Sequence, residues 1–180
     1  GFDEGRILCG NSSGTIGSEL FSRTCGYTYQ AAYDARIIKQ LFDNDINYFS
    51  SWGYLSGGLL TGNPTVSYHV AENAAAFAGA HTLTVNKNAP LITNGAEVEA
   101  FAALDKDGST VRIMAYNFKN NLKYSRSADT EITLNMPALN GKKVCVKSYV
   151  IDDDCNFFDE WQEDREKYGI GDDCFSWSPD

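Results

Sequence analysis

The hydrophobic period of this chain changes near His81, and no single-class fold satisfies both halves. Before that point Tyr27, Ala31, Ala35, Ile38 and Phe42 recur every three or four residues, and so do Val66, Val70, Ala74 and Phe77. Such spacing lines one face of an α-helix. After it, apolar residues alternate in Val111/Ile113/Ala115, in Ile132/Leu134/Met136 and in Val144/Val146/Ser148/Val150. A period of two turns one face of a β-strand toward a core. Asn94-Gly95, Asp107-Gly108 and Asn140-Gly141 punctuate this half, and such dipeptides accept the positive φ that tight hairpin turns require. The expected class is α+β, with helices early and antiparallel, hairpin-joined strands late.

The order of elements before His81 is specific. A short strand ends in Asp3-Glu4-Gly5, and a Gly-, Ser-, Thr- and Asn-rich loop covers 10–26. A helix then runs from Tyr27 to Phe42 and is stopped by the turn chemistry of Asp43-Asn44-Asp45. Ile46–Trp52 reads as a buried aromatic strand, and glycines 53, 57, 58 and 62 form the next loop. Asn63-Pro64 predicts a second helix start, Asn as N-cap and Pro at the first helical position, with an end near Gly79. Residues 4–80 thus read as one and a half βα units. In such units a carboxylate at the end of a buried strand is where a barrel presents a catalytic group, which singles out Glu4.

Beyond His81 the strand candidates are Thr82–Val85, Val98–Leu104, Thr110–Tyr116, Thr130–Met136 and Lys142–Ile151, enough for a small β-sandwich. Asn156–Tyr168 reads as a closing amphipathic helix stopped by Gly169, with Phe175 and Trp177 tucking the tail onto the body.

Charge and cysteine content narrow the function classes. The net charge of −9 lies wholly in residues 152–180, which hold 11 acidic and 2 basic side chains. That tail repels phosphate backbones, so nucleic acid is not an expected partner, and its plainer reading is a solvated helix and loop. No apolar run reaches the roughly 20 residues that span a bilayer, so a soluble protein is expected rather than a membrane one. Cys9, Cys25, Cys145, Cys155 and Cys174 contain no Cys-x-x-Cys pair, which argues against zinc. Cys9–Cys25 and Cys155–Cys174 could close short loops in an exported protein; the alternative is reduced, mostly buried thiols. The compartment, cytoplasmic or secreted, stays open.

Motif tests leave no metal and no cofactor expected. His69 and His81 lack a Cys, Asp or Glu at metal or triad spacing and read as structural. Ser12, Ser13 and Ser18 lack a Gly-x-Ser-x-Gly elbow, and no glycine run forms a nucleotide-binding loop. Asp152, Asp154, Asn156, Glu160 and Glu163 match positions of a calcium loop, but Phe157 stands where that loop needs glycine. Helix capping accounts for the same residues.

The succession of carboxylate, loop, helix, aromatic strand Ile46–Trp52, helix and sandwich resembles the end of a retaining glycosidase barrel. With Val111–Asn117 ("VRIMAYN"), Ser148–Trp161 ("SYVIDDDCNFFDEW") and Phe175–Asp180 ("FSWSPD"), it is similar to glycoside hydrolase family 39, the β-xylosidase and α-L-iduronidase group. The resemblance implies the C-terminal βα units of a (β/α)₈ barrel over 1–80, packed on an antiparallel β-sandwich with a C-terminal helix over 81–180. It implies Glu4 as nucleophile at the end of barrel strand seven, and Ser50, Trp52 and Tyr54 as sugar-binding residues at the strand-eight mouth. An aromatic there can stack on the apolar face of a sugar ring, although Tyr48, Phe49 and Trp52 can equally fill core, and for Tyr48 and Phe49 core is the better reading.

The family's acid/base glutamate follows an asparagine on strand four, and this sequence contains no Asn-Glu dipeptide. The expectation is therefore the C-terminal portion of a glycosidase acting on xylosides or related glycosides, inactive as this chain alone. Its partners would be a carbohydrate substrate and a missing N-terminal barrel segment or partner chain. The competing expectation is a non-catalytic β-sandwich module that binds carbohydrate or buries the barrel's flank.

Overall fold

The computed structural model describes residues 2–5, 28–46, 48–51, 64–87, 97–121, 127, 129–156, 163, 167 and 169. In chain order these form β1 (Phe2–Gly5), α1 (Thr28–Asp43), β2 (Phe49–Ser51), α2 (Val66–Ala75), β3 (His81–Leu83), β4 (Glu97–Leu104) and β5 (Val111–Phe118), followed by a 3₁₀ turn at Pro137–Leu139. The class is α+β: a parallel pair β1–β2 linked through α1, and a separate antiparallel sheet ordered β3-β4-β5 that follows α2 in sequence.

Helix α1 follows its apolar spacing. Ala31 and Ala35 are buried and Ile38 packs beside them. Phe42, at the end of that face, is half exposed, its ring 5.6 Å from that of Phe101. The helix stops as the Asp43-Asn44-Asp45 turn predicts. Ile46 N–H reaches back to Leu41 C=O (3.0 Å) and Asp45 N–H to Phe42 C=O (3.4 Å), the paired bonds of a Schellman ending. Asp45 takes the left-handed position with φ 51°, where glycine is usual. Asn44 adds a side-chain bond to Gln40 C=O at 2.8 Å.

Helix α2 starts later than Asn63-Pro64 suggests. Its N-cap is Thr65, whose backbone is extended and whose hydroxyl accepts from Tyr68 N–H at 3.4 Å. Pro64 sits one residue before the cap and Asn63 lies outside the described residues. The threonine hydroxyl does what the asparagine was expected to do, so the signal was right in kind and displaced by two positions. Val66, Val70, Ala74 and Phe77 are all buried, as the spacing predicts. Gly79, at φ +74°, ends the following turn.

The antiparallel sheet carries the core. His81 pairs with Leu104 and Leu83 with Ala102; β4 then pairs β5 from Glu97↔Phe118 to Leu104↔Val111. The Asp107-Gly108 turn joins β4 to β5 through a longer loop than a two-residue hairpin. Asp105 N–H bonds Thr110 C=O (2.9 Å), Gly108 N–H bonds Asp105 C=O (2.8 Å), and Gly108 supplies φ +71°. Arg112 closes the base of the loop with two 2.9 Å bonds to the Asp105 carboxylate.

Helix α1 lies on this sheet and α2 packs against α1. Ala31 and Ala35 of α1, Val66 and Val70 of α2, and Tyr116 and Phe118 of β5 form one buried cluster. Tyr29 and Tyr33 flank the Phe118 ring at 5.4 and 6.0 Å, and the Arg36 guanidinium lies 5.3 Å from its centre. Phe77, Phe101 and Ala103 form a second cluster, with the Phe77 and Phe101 rings 4.7 Å apart. Residues from both sides of position 80 therefore share a core.

Several expectations are corrected. Thr130–Met136 and Lys142–Ile151 are not strands: they join no ladder among the described residues, and Ile132, Leu134, Val144, Val146 and Val150 are exposed. Alternation makes a segment able to pair; it does not supply the partner. Strand β2 spans only Phe49–Ser51, because Asp45 and Ile46 are used in ending α1 and its partner β1 is itself four residues long. Tyr48, expected in the core, is 55% exposed. Cys145 and Cys155 are free thiols at the surface, not buried ones, and the Cys155–Cys174 option loses its first member. Cys9, Cys25 and Cys174 lie outside the described residues, as does most of Asn156–Tyr168; Glu163 and Lys167 have helical backbone there, and Gly169 has φ +63°.

Candidate functional site

Two parallel strands cannot be joined by a tight turn, so the chain between them must cross over, and here it does so through α1. The result is a β–α–β unit. Its register pairs Phe2 with Phe49 and Gly5 with Ser51, with an irregularity between the two pairs. Parallel pairing brings the carboxyl ends of both strands to one edge. Glu4, next to last in β1, therefore stands beside the Ser50–Ser51 end of β2. In open and closed α/β sheets this edge is where ligands bind and where catalytic groups emerge. Of the residues expected at the site, Glu4 and Ser50 are brought together at the backbone level, and Ser50 is partly buried. Trp52 and Tyr54 lie outside the described residues.

The two helices are tied by a polar network that the sequence reading missed. The Asp34 carboxylate accepts from the Gln30 side-chain amide at 2.6 Å and from the Ser67 hydroxyl at 2.5 Å. Gln30 is fully buried, and Thr65 and Ser67 nearly so. One signal was available: Gln30 and Asp34 stand four apart, the spacing of neighbours on a helix face. Nothing local to Asp34 pointed to Ser67, 33 residues away. The network fixes α1 against α2 by directional bonds, where apolar packing alone tolerates sliding.

Other features are chemically poorer. An open hollow of about 300 Å³ is lined by Leu41, Phe42, Asp45 and Ile46. It belongs to the apolar contact of the Schellman ending and lies before the amino end of β2, away from the carboxyl edge. Of the calcium-loop residues, Asp152, Asp154 and Asn156 make a turn, and Glu160 lies outside the described residues. Asp152 Oδ1 accepts from Asp154 N–H at 3.1 Å, and Asn156 Nδ2 donates to the carbonyls of Asp152 and Asp153, each at 2.8 Å. Among the described residues no group of three His, Cys, Asp or Glu side chains could hold a metal. His69 Nδ1 lies 3.6 Å from the Glu72 carboxylate on the same helix, and His81 is exposed at the start of β3. Among the described residues no helix is long and apolar enough to cross a membrane.

Asp107 has a displaced acidity. The backbone N–H and hydroxyl of Ser109 hold its carboxyl below the ordinary value of 3.8, with a smaller pull from Arg112. Arg112 in turn is held more firmly protonated by Asp105. Both effects belong to the β4–β5 turn, a structural device remote in sequence from Glu4.

Protein-family models, curated proteins and solved structures were all compared with the chain, and none of them matches it.

Proposed function

We propose that this chain is the C-terminal portion of a retaining glycoside hydrolase acting on xylosides or related glycosides, with Glu4 as its nucleophile. One observation supports the reading above the rest: a helix-linked parallel strand pair whose carboxyl edge holds Glu4 beside Ser50–Ser51. That is the order and polarity in which the last strands of a (β/α)₈ barrel present a catalytic carboxylate. The residue resemblance to glycoside hydrolase family 39 points the same way.

In this reading the Glu4 carboxylate attacks the anomeric carbon as the bond to the leaving group breaks. A second carboxyl, about 5–5.5 Å away, gives its proton to the departing oxygen. Water, deprotonated by that second group, then cleaves the glycosyl ester and regenerates Glu4. Ser50 offers a hydroxyl to a sugar hydroxyl, and Trp52 and Tyr54 offer aromatic faces to the ring. The second carboxyl comes from barrel polypeptide outside these 180 residues, because the sequence has no Asn-Glu pair. The chemistry needs no cofactor.

With that polypeptide present, Glu4→Gln keeps the shape and removes the nucleophile. Turnover of an aryl xyloside should fall by at least about 10³-fold, in line with the loss of a group that acts directly in the transition state. Undiminished turnover removes Glu4 from the mechanism.

One observation favours a second, non-catalytic reading for the antiparallel sheet. Its Phe101, Tyr116 and Phe118 are buried, with α1 packed on the sheet and α2 on α1. An occupied face suits a module that supports the helices better than one that binds sugar. Isothermal titration of the chain with xylo-oligosaccharides separates the two: no heat fits support, and saturable binding fits a carbohydrate-binding module.

A further inference from the structure

The chain leaves the core and returns to it at one place, the amino end of α1. At the exit Phe118 is buried against Tyr29, and the Tyr29 hydroxyl donates to Asn120 Oδ1 at 3.1 Å. At the return Ile151 packs against the cluster that holds Phe118, and the Thr28 hydroxyl donates to Asp153 Oδ1 at 3.4 Å. Consecutive residues of one helix thus hold both flanks, and the chain between Asn120 and Ile151 is an excursion closed at its base.

Within the excursion the polypeptide is offered to solvent. A turn at 136–142 is bonded internally: Leu139 N–H to Met136 C=O (2.9 Å), Asn140 N–H to Pro137 C=O (3.1 Å) and Lys142 N–H to Leu139 C=O (3.0 Å), with Gly141 at φ +71°. Beyond it, residues 143–151 make no main-chain hydrogen bond with any described residue, and residues 141–150 are all exposed. Such a stretch needs no unfolding before it enters a protease cleft. It carries Lys142-Lys143, the only place in the sequence where two basic residues are adjacent. By contrast Arg36 and Lys39 lie within α1 and Arg112 within the β4–β5 ladder, so their peptide bonds reach a cleft only after helix or ladder opens.

We propose that Lys142-Lys143 is a proteolytic processing site for a serine endoprotease that takes a basic side chain in an acidic pocket. The bond broken is the amide between Lys143 and Val144, or its neighbour between Lys142 and Lys143. Water gives its hydroxyl to the lysine carbonyl carbon and a proton to the freed amine. The cut falls outside the core. Every buried residue of both apolar clusters precedes it, and of the described residues only Ile151 packs onto them from the far side. The part before the cut therefore keeps α1, α2 and the β3-β4-β5 sheet. The site stands whether or not Glu4 is catalytic.

The full chain is digested with a trace of trypsin and sampled early by mass spectrometry. Cleavage after Lys143 or Lys142 should outpace cleavage after Arg36, Lys39 and Arg112 by at least about a hundredfold, because those bonds wait on opening. K142Q/K143Q should abolish the cut at the pair and leave the rest of the digest as it was. Hydrogen exchange should find the β4–β5 amides of the cut chain as slow as those of the K142Q/K143Q chain digested alongside. An uncut pair, helix or ladder positions cleaved at a comparable rate, or a β4–β5 ladder that loses protection only when the pair is cut would each overturn the proposal.

Discussion

The β4–β5 hairpin and the Glu131–Val150 segment are written in the same sequence grammar. Each has alternating apolar residues on both sides of a turn that contains glycine at positive φ. One is an eight-pair ladder with Phe101, Tyr116 and Phe118 buried; the other joins no ladder among the described residues and is exposed. The difference lies outside the strands. Helix α1, backed by Val66 and Val70 of α2, brings Ala31 and Ala35 onto the first, and no described element does so for the second. Alternation thus encodes a capacity for pairing, and a second layer turns that capacity into buried area.

This contrast sets the sizes of mutational effects. Phe118 is 5% exposed and touched by Tyr29, Tyr33 and Arg36, so Phe118→Ala should cost about 3–5 kcal/mol in denaturant unfolding. Val146→Ala, measured on dilute protein, should stay within about 0.5 kcal/mol. Similar values at the two positions would erase the distinction between covered and uncovered hairpins. Next in size is Asp34→Ala, which strands the Gln30 amide and the Ser67 hydroxyl in the layer that does the covering. It should cost about 2–4 kcal/mol, and hydrogen exchange should accelerate in α1 and α2 together if the network ties them.

A smaller change should act in the opposite direction. Asp45→Gly relieves a left-handed residue at the end of α1 and should stabilise the chain by about 0.5–1 kcal/mol. The smallest is a pH effect in the covered hairpin's own turn. The Asp107 carboxyl is depressed in the folded chain, so its contribution is present above the unfolded value near 3.8 and fades as the pH falls through the lower folded value. Asp107→Asn should therefore lower stability at neutral pH, and the gap from wild type should close in acid. A gap that is constant with pH would mean that the Ser109 bonds do not favour the ionised form.

Legibility in the sequence tracked how local each determinant is. Helix spacing located Ala31, Ala35, Val66 and Val70 in the core, because a helix face depends on neighbours three and four residues away. The turn residues Gly79, Gly108 and Gly141 were readable for the same reason. The cap of α2 was misplaced by two positions because Asn63 and Thr65 carry equivalent capping chemistry. The strands after Gly108 divided on information the pattern does not hold: Val111–Phe118 found a partner, and Lys142–Val150 has none among the described residues. At the candidate site, Glu4 and Ser50 were readable as strand ends, whereas Asp34 becomes meaningful only when a helix crossing brings Ser67 to it. Buried polar contacts between distant segments leave little trace in a single sequence.

The central claim concerns the carboxyl edge of β1 and β2, and a mechanism-based label addresses it most directly. A 2,4-dinitrophenyl 2-deoxy-2-fluoro-xyloside carries a leaving group that departs without protonation, so the nucleophile alone is interrogated. Incubated with the chain joined to its complementing barrel polypeptide, digested and mapped by mass spectrometry, the account predicts a fluoroxylosyl ester on Glu4 that Glu4→Gln abolishes. An ester on any other carboxylate, or one that survives Glu4→Gln, contradicts it.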